Sequence, residues 1–196
     1  LPPLLKQLGC DVVLINEAIT GNFAHNPEPL PQNLTELCDK VVSEKADMGI
    51  AVDPDVDRLS FICEDGTLLG EENTLVAVAS YILQNTPGAT VSNLSSTRGL
   101  RDISAQYGMQ YYAAAVGEVN VVERMKEVNA IIGGEGNGGV IYPELHYGRD
   151  ALVGIALMLT YMADNDLSLT RIKDSLPKYS ISKNKIDLQP GWNVSE

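Results

Sequence analysis

GIAVDPDVDRLSF, residues 49–61, sets Asp53, Asp55 and Asp57 two residues apart at the end of an apolar run, with Arg58 directly behind them. In extended chain, residues i, i+2 and i+4 point to one side, so these three carboxylates can converge on one point. Unneutralised, they repel one another at a few ångströms. A hard divalent cation with oxygen ligands is the simplest compensation. Arg58 is then placed to hold a phosphate next to that metal. The plainer reading is an acidic surface turn closed by Asx-type hydrogen bonds.

Two sharper alternatives compete for the same stretch. An EF-hand loop requires D-x-D-x-D-G-x5-E, and Glu64 does fall at its twelfth position. Arg58 stands where that loop needs glycine, and the flanks have the composition of strands, so the EF-hand is rejected. A haloacid-dehalogenase-type phosphatase also resembles this stretch, with Asp53 as nucleophile after a strand and an acid two residues on. That family prefers Thr or Val where this chain has Asp57, and it stands as the runner-up.

Outward from the aspartates, short apolar runs alternate with helical periodicity. Strands are predicted at 11–17, 48–53 and 58–65, with a helix between them in which Leu34, Leu37, Cys38, Val41 and Val42 share one face. Asn33 and Glu36 resemble a capping box for that helix. After a helix over 72–85, Pro87-Gly88 marks a break, and the pattern restarts: strand 89–94, helix 97–107, strand 109–116, helix 118–129, strand 130–134. A long helix over 149–164 carries Leu152, Ile155, Ala156 and Leu159 on one face. This order predicts an α/β protein of two consecutive α/β domains, with mixed, mostly parallel sheets flanked by helices. The expected division is 1–87, 88–180 and an exit strand or linker over 181–196. The chain opens on a helix, so a first unit of βαβ type would lack its first strand, and an excised piece of a longer protein is expected.

The chain has 196 residues, a formal net charge of −12 and 44% hydrophobic residues. The charge argues against nucleic acid and anionic membrane as partners, both of which call for a basic patch, and leaves room for cations. Cys10, Cys38 and Cys63 are widely spaced and odd in number, matching neither a zinc site nor a disulfide framework, so a cytoplasmic location is expected. LPPLLKQLGCD has no basic n-region and too short an apolar run for a signal peptide. No stretch reaches the roughly 20 apolar residues of a membrane span.

The second informative stretch is IIGGEGNGGVIYPELHYGRD, residues 131–150. Gly134, Gly136 and Gly139 satisfy G-x-G-x-x-G, but a dinucleotide site needs that loop to open a helix. VIYPE follows instead, with β-branched residues and a proline. What remains is a bare backbone loop carrying Glu135, an acceptor, and Asn137, both donor and acceptor. That chemistry suits sugar hydroxyls; a flexible turn is the alternative. Arg149 can bind phosphate or simply begin the next helix. His146 is an acid/base candidate or a surface residue.

Together, DPDVDR at 53–58 and GEGNGG at 134–139 resemble the α-D-phosphohexomutase superfamily of phosphoglucomutases, phosphomannomutases and phosphoglucosamine mutases. That family has four domains. Its second carries the metal loop D-G-D-G-D-R and its third the sugar loop G-E-M-S-G-H, with a Val/Thr-Gly turn between them that AVGEVNVVERM at 115–125 matches. Order and spacing agree over nearly the whole chain, and NPEPLPQNL with VDPDVDRL and GEGNGG most resembles the phosphoglucosamine mutase-like branch. The resemblance implies Mg²⁺ on Asp53, Asp55 and Asp57, and Arg58 facing the phosphoryl group. It implies Glu135 as the sugar-hydroxyl ligand, with Gly117, Gly134, Asn137 and Arg149 as further substrate-binding candidates. Asn137 replaces the Ser of the sugar loop and Gly139 its His, while Glu118 follows Gly117 where some relatives carry a catalytic His. Glu118 and His146 are therefore the remaining acid/base candidates.

The family's phosphorylated serine sits in T-x-S-H-N-P of the first domain. FAHNP at 23–27 has Ala24 in that place and lies in the wrong domain. The R-x-S-G-T-E-P-type loop of the fourth domain has no match either. The resemblance thus implies a phosphosugar mutase interconverting hexose 6-phosphate and hexose 1-phosphate through a phosphoserine enzyme and a 1,6-bisphosphate. This chain would supply its second and third domains, with the first and fourth domains as partners, and by itself would be inactive. The HAD-type phosphatase and a non-catalytic sugar- or metal-binding module are the alternatives.

Overall fold

The computed structural model describes residues 1–18 and 20–182. Helix α1 (Pro2–Gln7), with proline at its first turn, buries Leu5. A 3₁₀ turn at Pro31–Asn33 leads into α2 (Thr35–Glu44), which precedes the hairpin of β1 (Met48–Val52) and β2 (Leu59–Cys63). These two strands pair antiparallel, Met48 opposite Cys63 through Val52 opposite Leu59, so the aspartate stretch is their connecting loop. Every residue of β2 is buried. Its pleat divides the load. Leu59, Phe61 and Cys63 join the main core, while Ile62 turns to Leu34 and Val41 on the α2 side.

The chain then forms α3 (Glu71–Asn85), β3 (Ala89–Asn93), α4 (Gly99–Gln106), β4 (Tyr111–Ala114), α5 (Glu118–Val128), β5 (Ala130–Glu135), β6 (Gly139–Ile141), α6 (Ala151–Asn165) and α7 (Leu169–Ser175). The four-stranded sheet runs β4-β3-β5-β6; its first three strands are parallel and β6 is antiparallel to β5. On one face Val121 and Met125 of α5 pack with Val91 and Ala130. On the other, Ile132 and Val140 join α3, α4 and α6 in a core that also takes in Leu59 and Phe61 of β2. Helix α3 is buried almost throughout, from Thr74 to Ser80 and again at Ile82 and Leu83. It is the common wall of hairpin and sheet.

The α/β character and the alternation after residue 88 agree with the sequence. Four details differ. Residues 11–17 are not a strand: the segment has no ladder partner among the described residues, and Val13 and Leu14 are exposed. The Asn33–Glu36 box does not form, because Asn33 donates to the Glu28 carbonyl and Glu36 accepts from Asn16. Helix α6 starts at Ala151 and buries Ala151, Gly154, Ile155, Met158 and Tyr161, so of the face expected from sequence only Ile155 is buried. That helix is apolar nearly all round, which blurs its periodicity. The short α7 is an element the sequence did not announce. The segment expected as an exit strand or linker, 181–196, lies outside the described residues from 183 on. Among the described residues no helix is long and apolar enough to cross a membrane.

Candidate active site

The aspartate loop is closed by its own first carboxylate. Asp53 is 2% exposed. One of its oxygens accepts the backbone N–H groups of Asp57 and Arg58, at 3.1 and 3.0 Å, and the other accepts Arg58 Nε at 2.6 Å. Burial raises the Asp53 carboxyl, but these bonds and the Arg58 charge outweigh it and hold it below the usual range. Arg58 also donates to Glu28 at 3.1 Å, tying the loop to the NPEP segment. Val56 sits at φ 59, a left-handed conformation that a β-branched residue rarely adopts.

Asp53, Asp55 and Asp57 each place a carboxylate oxygen within 4.8 Å of the others. Asp55 is exposed and Asp57 half-buried. Burial, the hydrogen bond with Asp53 and the charges of Asp53 and Asp55 push the Asp57 carboxyl up to about 6, against the opposing charge of Arg149. A hard, all-oxygen donor set with excess negative charge fits a divalent cation.

The glycine loop is held by what it lacks. It forms the turn of the β5–β6 hairpin, and each glycine fits where a side chain would not. Gly134, at φ +155, would bring a Cβ to 2.0 Å from the Gly139 carbonyl. At Gly138, φ +86, the Cβ would be 2.1 Å from the carbonyl of Leu59, on the strand that leaves the aspartate loop. The two loops are thus in backbone contact through a missing side chain. At Gly139 a Cβ would fall 2.4 Å from Arg149 Cδ, so Arg149 occupies the space that a side chain at 139 would need.

Glu135, 5% exposed, accepts from Asn93 Nδ2 at 2.6 Å, Arg149 Nη1 at 2.8 Å and Asn137 Nδ2 at 3.4 Å. Asn137 Oδ1 in turn accepts the Gly139 N–H at 3.1 Å. Gly117, at φ 114, starts α5. Glu118 is the first residue of that helix, and both its oxygens face Arg149: the backbone N–H at 3.2 Å and Nε at 3.1 Å. The remaining arm of Arg149, Nη2, donates to Asp57. These groups line a cleft of about 320 Å³ bordered by Asn93, Gly117, Glu118, Glu135, Asn137 and Arg149. It opens at the carboxyl ends of the parallel strands β3, β4 and β5, where ligands of open α/β sheets bind. A larger cleft, about 620 Å³, lies between residues 16–27 and the root of the aspartate loop at Val52–Pro54.

Most residues singled out in the sequence therefore meet. Asp53, Asp55, Asp57 and Arg58 form one group. Gly117, Glu118, Glu135, Asn137 and Arg149 form the second, with Gly134 behind them in the hairpin backbone. His146 stands apart. It is exposed, bonds to Asp150 at 3.0 Å and does not line the cleft. Sequence reasoning missed Asn93 and Ser96. Ser96 accepts the Gly136 N–H at 2.8 Å and donates to Asn93 at 2.7 Å. Their signal was a polar run, NLSSTRG, directly after a parallel strand.

Comparison with known proteins identifies the family. Residues 1–66 match the model of phosphoglucomutase/phosphomannomutase alpha/beta/alpha domain II, and residues 71–179 that of domain III. The two models meet upstream of the 87–88 division expected from the sequence. A phosphoglucomutase/phosphomannomutase of Thermococcus kodakarensis is 37% identical over 94% of this chain and 41% of its own length. A phosphoglucosamine/phosphogalactosamine mutase of Sulfurisphaera tokodaii is 33% identical over 100% of this chain and 44% of its own. The crystal structure of a phosphoglucomutase/phosphomannomutase family protein from Burkholderia thailandensis superposes with a TM-score of 0.79 at 27% identity, covering 90% of this chain and 39% of that one. The chain spans about two fifths of the length of the curated relatives it matches.

Proposed function

The chain belongs to the phosphoglucomutase/phosphomannomutase family, as its domains II and III, and from that premise we propose that it supplies the metal loop and sugar loop of a phosphohexomutase. The whole protein would interconvert hexose 6-phosphate and hexose 1-phosphate through a phosphoserine and a 1,6-bisphosphate, with the serine and the main phosphate-binding loop contributed by the first and fourth domains. One observation carries this reading: Arg149 touches both Asp57 of the aspartate loop and Glu135 of the glycine loop. Two loops that would serve a metal-bound phosphoryl group and a sugar ring thus share one site.

Asp53, Asp55 and Asp57 would hold Mg²⁺, which when bound neutralises charge on a transferring phosphoryl group. Asp53 anchors the loop, and Arg58, held by Asp53 and Glu28, would face the phosphoryl group. Glu135 would accept from hexose hydroxyls and Asn137 accept from and donate to them, with Gly117 leaving the backbone open at the cleft and Gly134 shaping the hairpin behind it. Glu118 positions Arg149 more readily than it moves a proton, since both its oxygens are engaged by that arginine. The phosphatase alternative needs Asp53 as an accessible nucleophile. Its burial and its bonds to Arg58 and two backbone N–H groups argue against that role. Helix α3 is assigned to the second of the two domains, because it packs against α4, α6 and β5 as well as β2.

The test is ³¹P NMR of the full-length protein with Mg²⁺ and glucosamine 6-phosphate, then the glucose and mannose analogues. A 1-phosphate signal growing from the 6-phosphate is expected, fastest with the glucosamine compound. Release of inorganic phosphate alone would overturn the proposal.

A further inference from the structure

The backbone around Arg149 is pinned from three sides. Its own N–H donates to Glu118, the Asp150 N–H to the Val140 carbonyl at 2.9 Å, and the Ala151 N–H to the Val56 carbonyl at 3.0 Å. Asp150 caps α6 by accepting from Leu152 N and Val153 N. The side chain passes over Gly139 and is 17% exposed. Its three nitrogens reach three carboxylates on three elements: Nε to Glu118, Nη1 to Glu135 and Nη2 to Asp57. Two of these anchors belong to the sugar cleft. The third belongs to the aspartate group.

That asymmetry has a consequence in charge. A dication sharing Asp57 faces the guanidinium across a single carboxylate, and the two cations repel. Glu118 and Glu135 lie outside the aspartate group and keep their hold on Nε and Nη1. Nη2 is the arm that gives way. We infer that Arg149 is an exchange residue: it neutralises Asp57 in the metal-free protein and, when a divalent cation takes that carboxylate, releases Nη2 to a phosphoryl oxygen in the adjoining cleft. Metal loading thereby creates part of the anion site, and cation binds before phosphate. The inference rests on the proposed metal role of the aspartates, and its test separates the two.

Mn²⁺ binding to this chain is followed by the EPR signal of the free ion, for the wild type, Asp55→Asn and Arg149→Met. Removing the competing guanidinium is expected to tighten Mn²⁺ roughly twofold to fivefold, the scale of one partly exposed ion pair. Unchanged or weaker binding in Arg149→Met, with binding weakened in Asp55→Asn, overturns the exchange and leaves the metal site standing. Binding as tight in Asp55→Asn as in the wild type overturns both. A wild-type measurement covers the case in which Arg149→Met does not fold. The Arg149 Nε–Hε NMR resonance, identified by its loss in Arg149→Lys, is expected to move along the Mg²⁺ saturation curve. Inorganic phosphate is then expected to move it further only when Mg²⁺ is present. A resonance indifferent to Mg²⁺, or equally sensitive to phosphate without it, overturns the exchange.

Discussion

The aspartate loop and the glycine loop solve opposite problems. At 53–58 the shape comes from a side chain the loop has: Asp53 turns inward and binds the backbone and the arginine that close the loop on itself. At 134–139 the shape comes from side chains the loop lacks, since its neighbours (Gly139, Leu59 and Arg149) occupy the volumes where Cβ atoms would be. A loop built from a side chain can be weakened by degrees. A loop built from absences fails as soon as an atom is added.

The largest effect is therefore expected for Gly138→Ala. The added carbon meets the Leu59 backbone at 2.1 Å, and φ +86 is strained for alanine. Clash and strain together should cost about 3 kcal/mol or more, measured as a fall in the urea midpoint at constant slope. A loss under about 1 kcal/mol would mean that the hairpin tip yields, and the contrast between the loops would collapse.

Asp53→Asn comes next. Asparagine can still accept from the two N–H groups, but its amide would confront the Nε of Arg58, donor against donor. A loss of about 2 kcal/mol is expected, in the range of hydrogen bonds to charged groups. Asp55→Asn, on the exposed tip, should change stability by less than about 0.5 kcal/mol, and both substitutions are expected to weaken Mn²⁺ binding. Equal stability losses would show that Asp53 is no more of an anchor than its neighbour.

This division also marks what the sequence could tell. The alternation of aspartates was legible because a period of two is local and its consequence, convergence, follows from strand geometry alone. That Asp53 faces inward was not, because it depends on backbone N–H groups at 57 and 58 arriving in a tight turn. GEGNGG was legible as a loop carrying Glu135 and Asn137. What each glycine makes room for was hidden, since the occupants of the space are Leu59, the first residue of β2, and Arg149 on the far side of β6. The Arg149–Asp57 pair spans 92 positions, and no window of sequence contains both. His146 drew attention as an ionisable residue beside the loop, and the fold carried it to an exposed turn instead.

Glu64 calibrates the Asp53 effect away from either loop and from any metal. It accepts the Thr170 N–H at 3.2 Å and the Thr170 hydroxyl at the start of α7. Burial raises its carboxyl, but bonds from Ser168 and Thr170 more than offset this and hold it below the usual value. A depressed carboxyl stabilises the fold above its unfolded pKa of about 4.3 and loses that contribution as pH falls through the lower folded value. Glu64→Gln should therefore cost about 1 kcal/mol at pH 7, with the difference from wild type shrinking below pH ~4 as both pKa values are crossed. Urea unfolding of both proteins at pH 7 and pH 3 checks this. A difference that is the same at both would mean that shape, not charge, is what Glu64 contributes.

The smallest effect, and the finest test of the contrast, is Val56→Gly. Here the aspartate loop contains a position of the kind that defines the other loop: a left-handed residue at φ 59. Glycine would relieve roughly 1–2 kcal/mol of left-handed strain. Against that stand the greater freedom of glycine in the unfolded chain, roughly 0.5–1 kcal/mol, and the contact of the partly buried Val56 side chain with the main core. Burial of one or two methyl groups is of the order of 1 kcal/mol. The terms nearly cancel, so thermal and urea midpoints should stay within about 0.5 kcal/mol of wild type. A gain above about 1 kcal/mol would mean that strain dominates packing at Val56. The aspartate loop would then also be limited by the backbone it must adopt, and the two loops would differ in degree instead of kind.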